Sequence, residues 1–295
     1  MASIGEKVDL CDGNSMPLFG FGCWDLDNEG DVAYNSVTAA LKEGYRLIDT
    51  AALYGNEESV GRALKASSIK REDLFVVTKL DLHKHGYETA KESLKESLDK
   101  LGLDYVDLFL IHTPMPGKVL DSWKAMMELK KEGKAKSIGV SNFNGEHIQA
   151  LLDAGLEKPA VNQFEIHPMH RRDEVVKYCR DNDITVMGYC PLARGQILKP
   201  GTCPLAEEIS NKVNKTVSQV CLRWALQKRY ITIPKSTSAV HIRENCQLYD
   251  FVLSDEEMSR FENLKTDMQI SVACEAMKHT WNEIKGNDKP GQWEM

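Results

Sequence analysis

The chain has 295 residues, of which 42% are hydrophobic and 27% are charged, so it is long enough to bury a sizeable core. Its 37 Lys and Arg residues against 44 Asp and Glu residues give a formal net charge of -7 at pH 7. This acidic balance, without a basic run, argues against binding to nucleic acid or to an anionic membrane. No apolar stretch approaches the length of a membrane span, and the first residues lack the apolar core of a secretory signal.

The 8 cysteines are scattered along the chain without a CxxC spacing. This pattern fits neither a zinc site nor a disulfide framework, and reduced thiols indicate a cytoplasmic protein. His83 with His85, and His167 with His170, form two close pairs that a metal ion could use. Neither pair has a carboxylate or cysteine partner at a suitable spacing, so we predict that no metal is bound.

The chain opens with a hairpin signal and then alternates between apolar runs and helical segments. Residues 8–18 place an Asp-Gly turn between two extended runs, which predicts a β-hairpin. Eight later runs are short, nearly continuous and rich in Val, Ile, Leu and Phe, as strands buried on both faces should be. These runs are residues 19–23, 46–48, 74–78, 106–111, 137–140, 160–164, 184–188 and 230–233.

Segments with helical periodicity lie between these runs. In one of them, apolar residues recur at steps of four and three. These residues are Ala90, Leu94, Leu98 and Leu101. Another helix is predicted to begin with Asp121 as its N-cap and to end near Gly133. Glycines that can close a helix in the left-handed conformation follow four such segments. They are Gly44, Gly102, Gly133 and Gly155.

Eight strands alternating with helices in a chain of this length favour a (β/α)8 TIM barrel over an open doubly wound sheet. We expect the N-terminal hairpin to close the bottom of that barrel. Two separate domains would need a linker, and none is evident, so residues 1–295 are expected to form one domain. Gly20 and Gly22 could suggest a dinucleotide fold, but Asp25 stands where the third glycine of that fingerprint belongs.

Polar residues follow most of the predicted strands, at the end where TIM barrels carry their active sites. In chain order they are Asp49, Tyr54, Lys79, His112, Ser141, Asn142, Gln163, Tyr189 and Lys235. The stretches around them resemble those of the aldo-keto reductases. The matching motifs are GYRLIDTA from residue 44, YGNEE from 54, VTK from 77, DYVDLFLIH from 104, IGVSNF from 138, VNQ from 161 and IPKS from 233.

The resemblance implies reduction of aldehydes or ketones by hydride transfer from NADPH or NADH, with four catalytic residues. Tyr54 would be the general acid, and the Lys79 ammonium would lower its pKa. Asp49 would hold Lys79 in place, and His112 would orient the substrate carbonyl by a hydrogen bond. Each residue alone also has a structural interpretation, such as a helix cap for Asp49. Their occurrence together at three successive strand ends favours catalysis.

The resemblance also assigns residues to the cofactor. Ser141, Asn142 and Gln163 would bind the nicotinamide carboxamide, and Tyr189 would stack on the nicotinamide ring. Alternatives for these residues are turn formation and ordinary core packing. Leu192 is placed in the same cofactor site.

A last segment would hold the adenosine end of the cofactor. Lys235, Ser236 and Thr237 resemble a 2′-phosphate site, while Glu244 and Asn245 resemble adenine contacts. His241 stands where the family usually has an arginine, and a neutral imidazole cannot make the bidentate phosphate contact of arginine. Arg243 should point to the opposite side of the helix. NADPH is therefore the expected cofactor, with NADH possible.

Four residues besides His112 are candidates for the substrate site. They are Trp24, Leu53, Asp81 and Thr113. Many family members carry tryptophan at the positions of Asp81 and Thr113, so a wider and more polar pocket is expected here. Such a pocket would accept polar carbonyls, such as sugar-derived aldehydes, as well as simple aromatic aldehydes. The alternative is that Asp81 faces solvent and Thr113 caps a loop.

Residues 271–295 correspond to the segment that sets specificity in this family, and either an ordered lid or a mobile tail is expected there. We expect a monomer that binds a small-molecule carbonyl substrate. Non-enzymatic relatives, such as channel accessory subunits and lens proteins, provide the main alternative, since fold does not fix function. A metal-dependent barrel hydrolase is a weaker alternative, because clustered metal ligands are missing.

Overall fold

A computed structural model describes residues 3–27, 31–115 and 118–284. The strands are β1 Lys7–Asp9, β2 Ser15–Pro17, β3 Gly20–Gly22, β4 Leu47–Asp49, β5 Phe75–Leu80, β6 Val106–Ile111, β7 Ala135–Ser141, β8 Val161–Glu165, β9 Thr185–Tyr189 and β10 Ile231–Thr232. The helices are α1 Val32–Lys42, α2 Glu57–Ala66, α3 Tyr87–Leu101, α4 Val119–Lys131, α5 Gly145–Asp153, α6 Asp173–Asp181, α7 Pro204–Val213, α8 Val217–Gln227, α9 Ala239–Asn245, α10 Asp255–Glu262 and α11 Trp281–Ile284.

Eight parallel strands form the barrel. Neighbouring strands pair in chain order from β3 to β10, and a parallel bridge between Phe19 and Thr232 brings the first strand beside the last. The strands are buried on both faces by side chains of the barrel interior and of the surrounding helices, which explains their continuous apolar runs. The predicted (β/α)8 TIM barrel is confirmed.

The N-terminal hairpin lies at the bottom of the barrel, as predicted. β1 and β2 pair antiparallel, with Val8 opposite Met16. At the turn, Asn14 Nδ2 donates to the Lys136 carbonyl at 3.2 Å and to Ser137 Oγ at 3.1 Å. Both acceptors belong to the beginning of β7, and the strands of a barrel begin at its bottom face. The hairpin therefore leaves the opposite rim free for a functional site.

The helices cover the barrel with their apolar faces. All four residues of the predicted stripe on α3 are buried there. Trp123 on α4 and Trp224 on α8 are fully buried in the same core, and a fully buried large side chain contributes about 1.5–3 kcal/mol to folding. The four glycines expected to close helices have positive φ, between 66° and 94°, which confirms that prediction.

The predicted start of α4 is wrong. Asp121 is not the N-cap, because the helix begins two residues earlier, at Val119, and Lys118 occupies the cap position. Val119 is buried in the core, which explains why the helix extends to include it. Asp121 lies in the first turn, where its negative charge interacts favourably with the helix dipole, and it is 3.7 Å from Lys124 Nζ.

A close approach at Gly22 places two loops of the upper rim beside each other. A Cβ atom at this position would lie 2.8 Å from the Ile233 carbonyl oxygen, so a larger residue would push the loops apart. The Gly22 amide donates to the Pro234 carbonyl at 3.2 Å. The residues after β3 therefore face the residues after β10. In the described part of the chain, no helix is long and apolar enough to cross a membrane.

Candidate active site

The carboxyl ends of three neighbouring strands bring the four predicted catalytic residues to one rim of the barrel. Asp49 is the last residue of β4, Lys79 lies near the end of β5, and His112 follows β6. Tyr54 ends a one-turn 3₁₀ helix, Ala52–Tyr54, that follows β4. Parallel strands with adjacent ends explain why residues 63 positions apart in sequence share one site.

Lys79 connects Asp49 to Tyr54. Its Nζ donates to Asp49 Oδ1 at 2.6 Å, to the Thr50 carbonyl at 3.0 Å and to the Tyr54 hydroxyl at 3.2 Å. Lys79 is 0% exposed and Asp49 is 2% exposed. Three acceptors match the three donors of an ammonium group, and the carboxylate balances its charge, so an ion pair is sustained in a buried place.

The expected direction of the Tyr54 pKa is wrong. Burial of the phenol, followed by the negative charge of Asp49, raises the pKa of Tyr54 well above its ordinary value. The Lys79 charge does not reverse this, because Asp49 neutralises it at 2.6 Å. Tyr54 therefore keeps its proton at neutral pH, which is the form that a proton donor requires.

His112 lies on the other side of Tyr54. The two ring centres are 5.6 Å apart, with the rings at 76° to each other. Burial, followed by the positive charge of Lys79, lowers the pKa of His112 well below its ordinary value. An uncharged imidazole at pH 7 can donate a hydrogen bond to a carbonyl oxygen without adding a net charge to the site.

A second buried histidine near His112 should make stability depend on pH. Burial lowers the pKa of His85 to about 4, and His85 Nδ1 lies 3.2 Å from Ser122 Oγ. The unfolded chain binds a proton near pH 6.5 and the folded chain resists it, so this stability is present above pH 6.5 and is lost as the pH falls through 4. We expect the loss to reach about 3 kcal/mol.

Two measurements check this expectation. NMR titration of the His85 ring should give a midpoint near pH 4, and a midpoint at or above 6 would contradict the burial argument. Equilibrium urea unfolding of the wild type and of His85→Asn between pH 7.5 and pH 4 gives the free energy of unfolding of each protein. It should depend less on pH in the variant. Buried carboxylates contribute equally to both proteins, so the difference reports on His85.

The predicted carboxamide-binding residues lie together beside the catalytic group. Gln163 Nε2 donates to Asp49 Oδ2 at 2.7 Å, and the Tyr189 hydroxyl donates to Asn142 Oδ1 at 2.7 Å. Asn142 Nδ2 donates to Ser141 Oγ at 3.1 Å. Asn142 has φ 59°, a left-handed conformation that asparagine tolerates better than most residues. This cluster supplies the amide and hydroxyl groups that a nicotinamide carboxamide would need.

The residues predicted for the adenosine end follow β10. Lys235, Ser236 and Thr237 lie in the segment before α9, and His241, Glu244 and Asn245 lie on α9. Lys235 Nζ is 3.2 Å from Asp25 Oδ2, and Glu244 Oε1 accepts a hydrogen bond from Thr216 Oγ1 at 2.8 Å. The site therefore offers an ammonium and two hydroxyl groups at the end after β10, and amides with the Tyr189 ring at the end beside the catalytic group. This set of groups fits a phosphorylated dinucleotide.

Trp24 and Leu53 form the exposed apolar part of the rim. Each is 41% exposed. The guanidinium of Arg194 lies 4.0 Å from the centre of the Trp24 ring. Arg194 follows the predicted cofactor residue Leu192 on the loop after β9, so this contact links two loops across the rim.

Asp81 and Thr113 are less available than their predicted roles require. Asp81 Oδ1 accepts a hydrogen bond from the His83 amide at 2.9 Å and caps the short 3₁₀ helix Leu82–Lys84. Thr113 is buried. Their contribution to substrate binding stays a prediction, and the cap gives Asp81 a structural role that the sequence did not predict.

A buried carboxylate ties the described part of the C-terminal segment to the barrel. Glu165, at the end of β8, accepts the backbone amides of Ile270 at 2.8 Å and of Ser271 at 2.6 Å. Residues 271–284 continue as an ordered 3₁₀ turn and the short helix α11. Of the predicted specificity tail, residues 285–295 lie outside the described residues.

The pair His167 and His170 has two carboxylate partners in the structure, one of them distant in sequence. His167 Nε2 lies 3.1 Å from Glu165 Oε1, and His170 Nδ1 contacts Asp267. The His170 contact ties the loop after β8 to the segment after α10, whereas the His167 contact stays within β8 and its loop. Among residues 3–27, 31–115 and 118–284, no group of three or more His, Cys, Asp or Glu side chains could hold a metal ion.

Asn56 is a positioning residue that the sequence reasoning missed. Its Nδ2 donates to the carbonyls of Cys23 at 2.8 Å and Leu26 at 3.0 Å, and its Oδ1 accepts from Thr50 Oγ1 at 2.7 Å. It therefore fixes the loop after β3. It also fixes Thr50, the neighbour of Asp49 whose carbonyl accepts a hydrogen bond from Lys79. The signal was present in the YGNEE motif, whose third residue is Asn56.

Cys274 was also missed. Its buried Sγ lies 3.3 Å from the Tyr189 hydroxyl, so the C-terminal segment reaches the ring predicted to stack on the nicotinamide. No motif marks Cys274 in the sequence, because it belongs to the segment without a family match.

The comparisons with known proteins agree with the fold described above. The model of the aldo/keto reductase family matches residues 19–266. Glyoxal reductase of Bacillus subtilis is 43% identical over 268 residues, which is 91% of this chain and 96% of that protein.

Solved structures agree with this match. An aldo-keto reductase of Bombyx mori in complex with NADP has a TM-score of 0.85 at 33% identity, covering 95% of this chain and 99% of that one. Aldose reductase of Schistosoma japonicum has a TM-score of 0.86 at 35% identity, covering 94% and 99%.

Proposed function

Because the chain belongs to the aldo/keto reductase family, we propose that it reduces small polar aldehydes to alcohols with NADPH, and that Tyr54 donates the proton. Membership makes the protein an NAD(P)H-dependent oxidoreductase acting on carbonyl compounds. The observation that carries the finer proposal is the position of Lys79 Nζ, which contacts Asp49 at 2.6 Å and the Tyr54 hydroxyl at 3.2 Å. This arrangement fixes the position of the protonated Tyr54 hydroxyl and leaves an ammonium N–H beside its oxygen.

The chain's own groups divide the work around the substrate carbonyl. When bound, NADPH supplies the hydride for the carbonyl carbon. The Tyr54 hydroxyl gives its proton to the carbonyl oxygen, and Lys79 Nζ donates a hydrogen bond to the Tyr54 oxygen throughout. The uncharged His112 ring orients the carbonyl by a hydrogen bond. Gln163, bonded to Asp49, and Asn142 position the nicotinamide carboxamide.

The substrate class rests on the rim and on one relative. Glyoxal reductase of Bacillus subtilis, by its name, acts on a small dicarbonyl compound, and it shares 43% of its aligned residues with this chain. Among the described residues, the rim around Tyr54 combines polar groups with the exposed apolar side chains of Trp24 and Leu53. A small polar aldehyde can reach the catalytic group without covering that apolar surface, whereas an aromatic aldehyde would use it.

Truncation of Trp24 should therefore separate the two substrate classes. We expect Trp24→Ala to lower kcat/KM for aromatic aldehydes about tenfold, because a buried aromatic contact contributes about 1–2 kcal/mol to binding. The kcat/KM for glyoxal should change less than twofold. Val252→Ala, at an exposed valine outside the site, is the control. An equal loss for both substrate classes would contradict a selective role of Trp24.

Absorbance of the reduced nicotinamide tests the proposed function directly. Purified protein is assayed with NADPH and then NADH against glyoxal and against sugar-derived, aliphatic and aromatic aldehydes. Turnover that is highest with the small polar aldehydes would support the proposal. Binding of NADPH without turnover of any aldehyde would overturn it and favour a non-enzymatic use of the barrel.

A further inference from the structure

The residues on two facing loops suggest an additional determinant of cofactor choice. We propose that Asp25 lowers the preference of this protein for NADPH over NADH by competing with the 2′-phosphate for Lys235. The inference rests on the proposed use of NADPH and on the predicted 2′-phosphate site at Lys235. The direct observation is that Lys235 Nζ lies 3.2 Å from Asp25 Oδ2, although the two residues are 210 positions apart.

The backbone of Asp25 is held firmly in this position. The buried amide of Asn56 donates to the carbonyls of Cys23 and Leu26, one on each side of the turn that contains Asp25. The Leu26 amide donates to the Cys23 carbonyl at 3.3 Å across the same turn. Because three hydrogen bonds fix this turn, the carboxylate cannot leave the neighbourhood of Lys235 by a simple movement of the loop.

The two other basic residues on α9 do not offset the charge of Asp25. The Lys235 charge is balanced by Asp25, and His241 lacks the permanent charge of an arginine. Arg243 is directed elsewhere, since its guanidinium pairs with Glu43 at 2.9 Å. A 2′-phosphate therefore gains one attraction, to Lys235, and meets one repulsion, from Asp25. NADH, which has a hydroxyl at that position, meets neither effect.

The size of the effect follows from the exposure of the pair. The side chain of Lys235 is 34% exposed and that of Asp25 is 65% exposed, so water screens the repulsion strongly. A phosphate carrying nearly two charges within a few ångströms of one carboxylate should lose about three- to tenfold in affinity. Removing the carboxylate should raise the affinity for NADP+ by the same factor and leave the affinity for NAD+ unchanged.

Isothermal titration calorimetry with NADP+ and NAD+ tests the proposal by binding alone. Asp25→Asn is the informative variant, because asparagine keeps the shape of the side chain and tolerates the left-handed φ of 58° at this position. Glu262→Gln is the matched control, since it removes one carboxylate from another exposed pair, with Lys228, whose side chains are 51% and 21% exposed. Lys235→Met gives the reference loss of the phosphate contact.

The proposal is supported if Asp25→Asn raises the affinity for NADP+ about three- to tenfold and changes the affinity for NAD+ less than twofold. Glu262→Gln should change neither affinity. Unchanged or weaker NADP+ binding in Asp25→Asn, with normal binding by the wild-type chain, would overturn the inference alone. If Lys235→Met weakened the binding of NADP+ and NAD+ equally, Lys235 would not bind the 2′-phosphate. This result would overturn the inference as well. Failure of the wild-type chain to bind either nucleotide would overturn the proposed function.

Discussion

Replacing Tyr54 with phenylalanine should lower kcat for aldehyde reduction about 10³-fold, because the substrate oxygen then has no positioned proton donor. The affinity for NADPH should stay within twofold of the wild-type value, since the hydroxyl is not assigned to the cofactor. The fold should persist, because Lys79 Nζ retains its bonds to Asp49 and to the Thr50 carbonyl. Steady-state turnover and NADPH titration of both proteins measure these quantities.

Tyr178→Phe is the matched control for this experiment. Tyr178 also uses its hydroxyl, which donates to Gln149 Oε1 at 2.9 Å on the outside of the barrel, so its loss should leave kcat unchanged. The raised pKa of Tyr54 adds a second expectation, that kcat stays level between pH 6 and 8 because the hydroxyl remains protonated. Retention of more than a tenth of the wild-type kcat by Tyr54→Phe would reject Tyr54 as the proton donor.

Replacing Asp49 with asparagine should lower the free energy of unfolding by about 3–5 kcal/mol. The variant leaves the Lys79 ammonium buried with no carboxylate partner, and an uncompensated buried charge is far more costly than an intact pair. Both partners are almost completely buried, so water cannot take over the role of the carboxylate. Equilibrium urea unfolding, followed by tryptophan fluorescence, measures the change.

Two further variants interpret that result. Asp181→Asn removes the carboxylate of an exposed pair with Lys177 and should cost less than about 1 kcal/mol. The double variant Asp49→Asn with Lys79→Met should be more stable than Asp49→Asn alone, because it no longer buries a charge. If Asp49→Asn lowers the free energy of unfolding no more than Asp181→Asn does, then loss of Asp49 does not leave an uncompensated charge on Lys79. That result would contradict the prediction.

The architecture was predictable because the strands of a barrel are buried on both faces. The run of residues 106–111 was predicted with the bounds that β6 has in the structure. β7 was predicted as residues 137–140 but begins at Ala135, because Ala135 pairs with Val106 of the neighbouring strand. Lys136 is exposed and polar, so hydrophobicity gives no signal for that part of the strand. Pairing with a neighbour, not local sequence, sets such a boundary.

The site was less predictable where a property depends on several distant groups. The motifs around Asp49 and Lys79 were sufficient to expect their ion pair. The pKa of Tyr54 has the opposite direction because it depends on burial and on the sum of nearby charges. The pairs of Asp25 with Lys235 and of Gln163 with Asp49 join residues 210 and 114 positions apart, and no spacing rule in a single sequence encodes such contacts.

The two bonds of Asp49 have a consequence for how this barrel can diversify. Asp49 ends β4 and Gln163 lies on β8, four strands away around the ring, so their 2.7 Å bond spans the interior from one wall to the opposite wall. It ties two opposite walls together at the mouth of the barrel. Because strand number and shear set the width of a barrel and this bond occupies its mouth, new substrates are accommodated by insertions and exchanges in the loops above it.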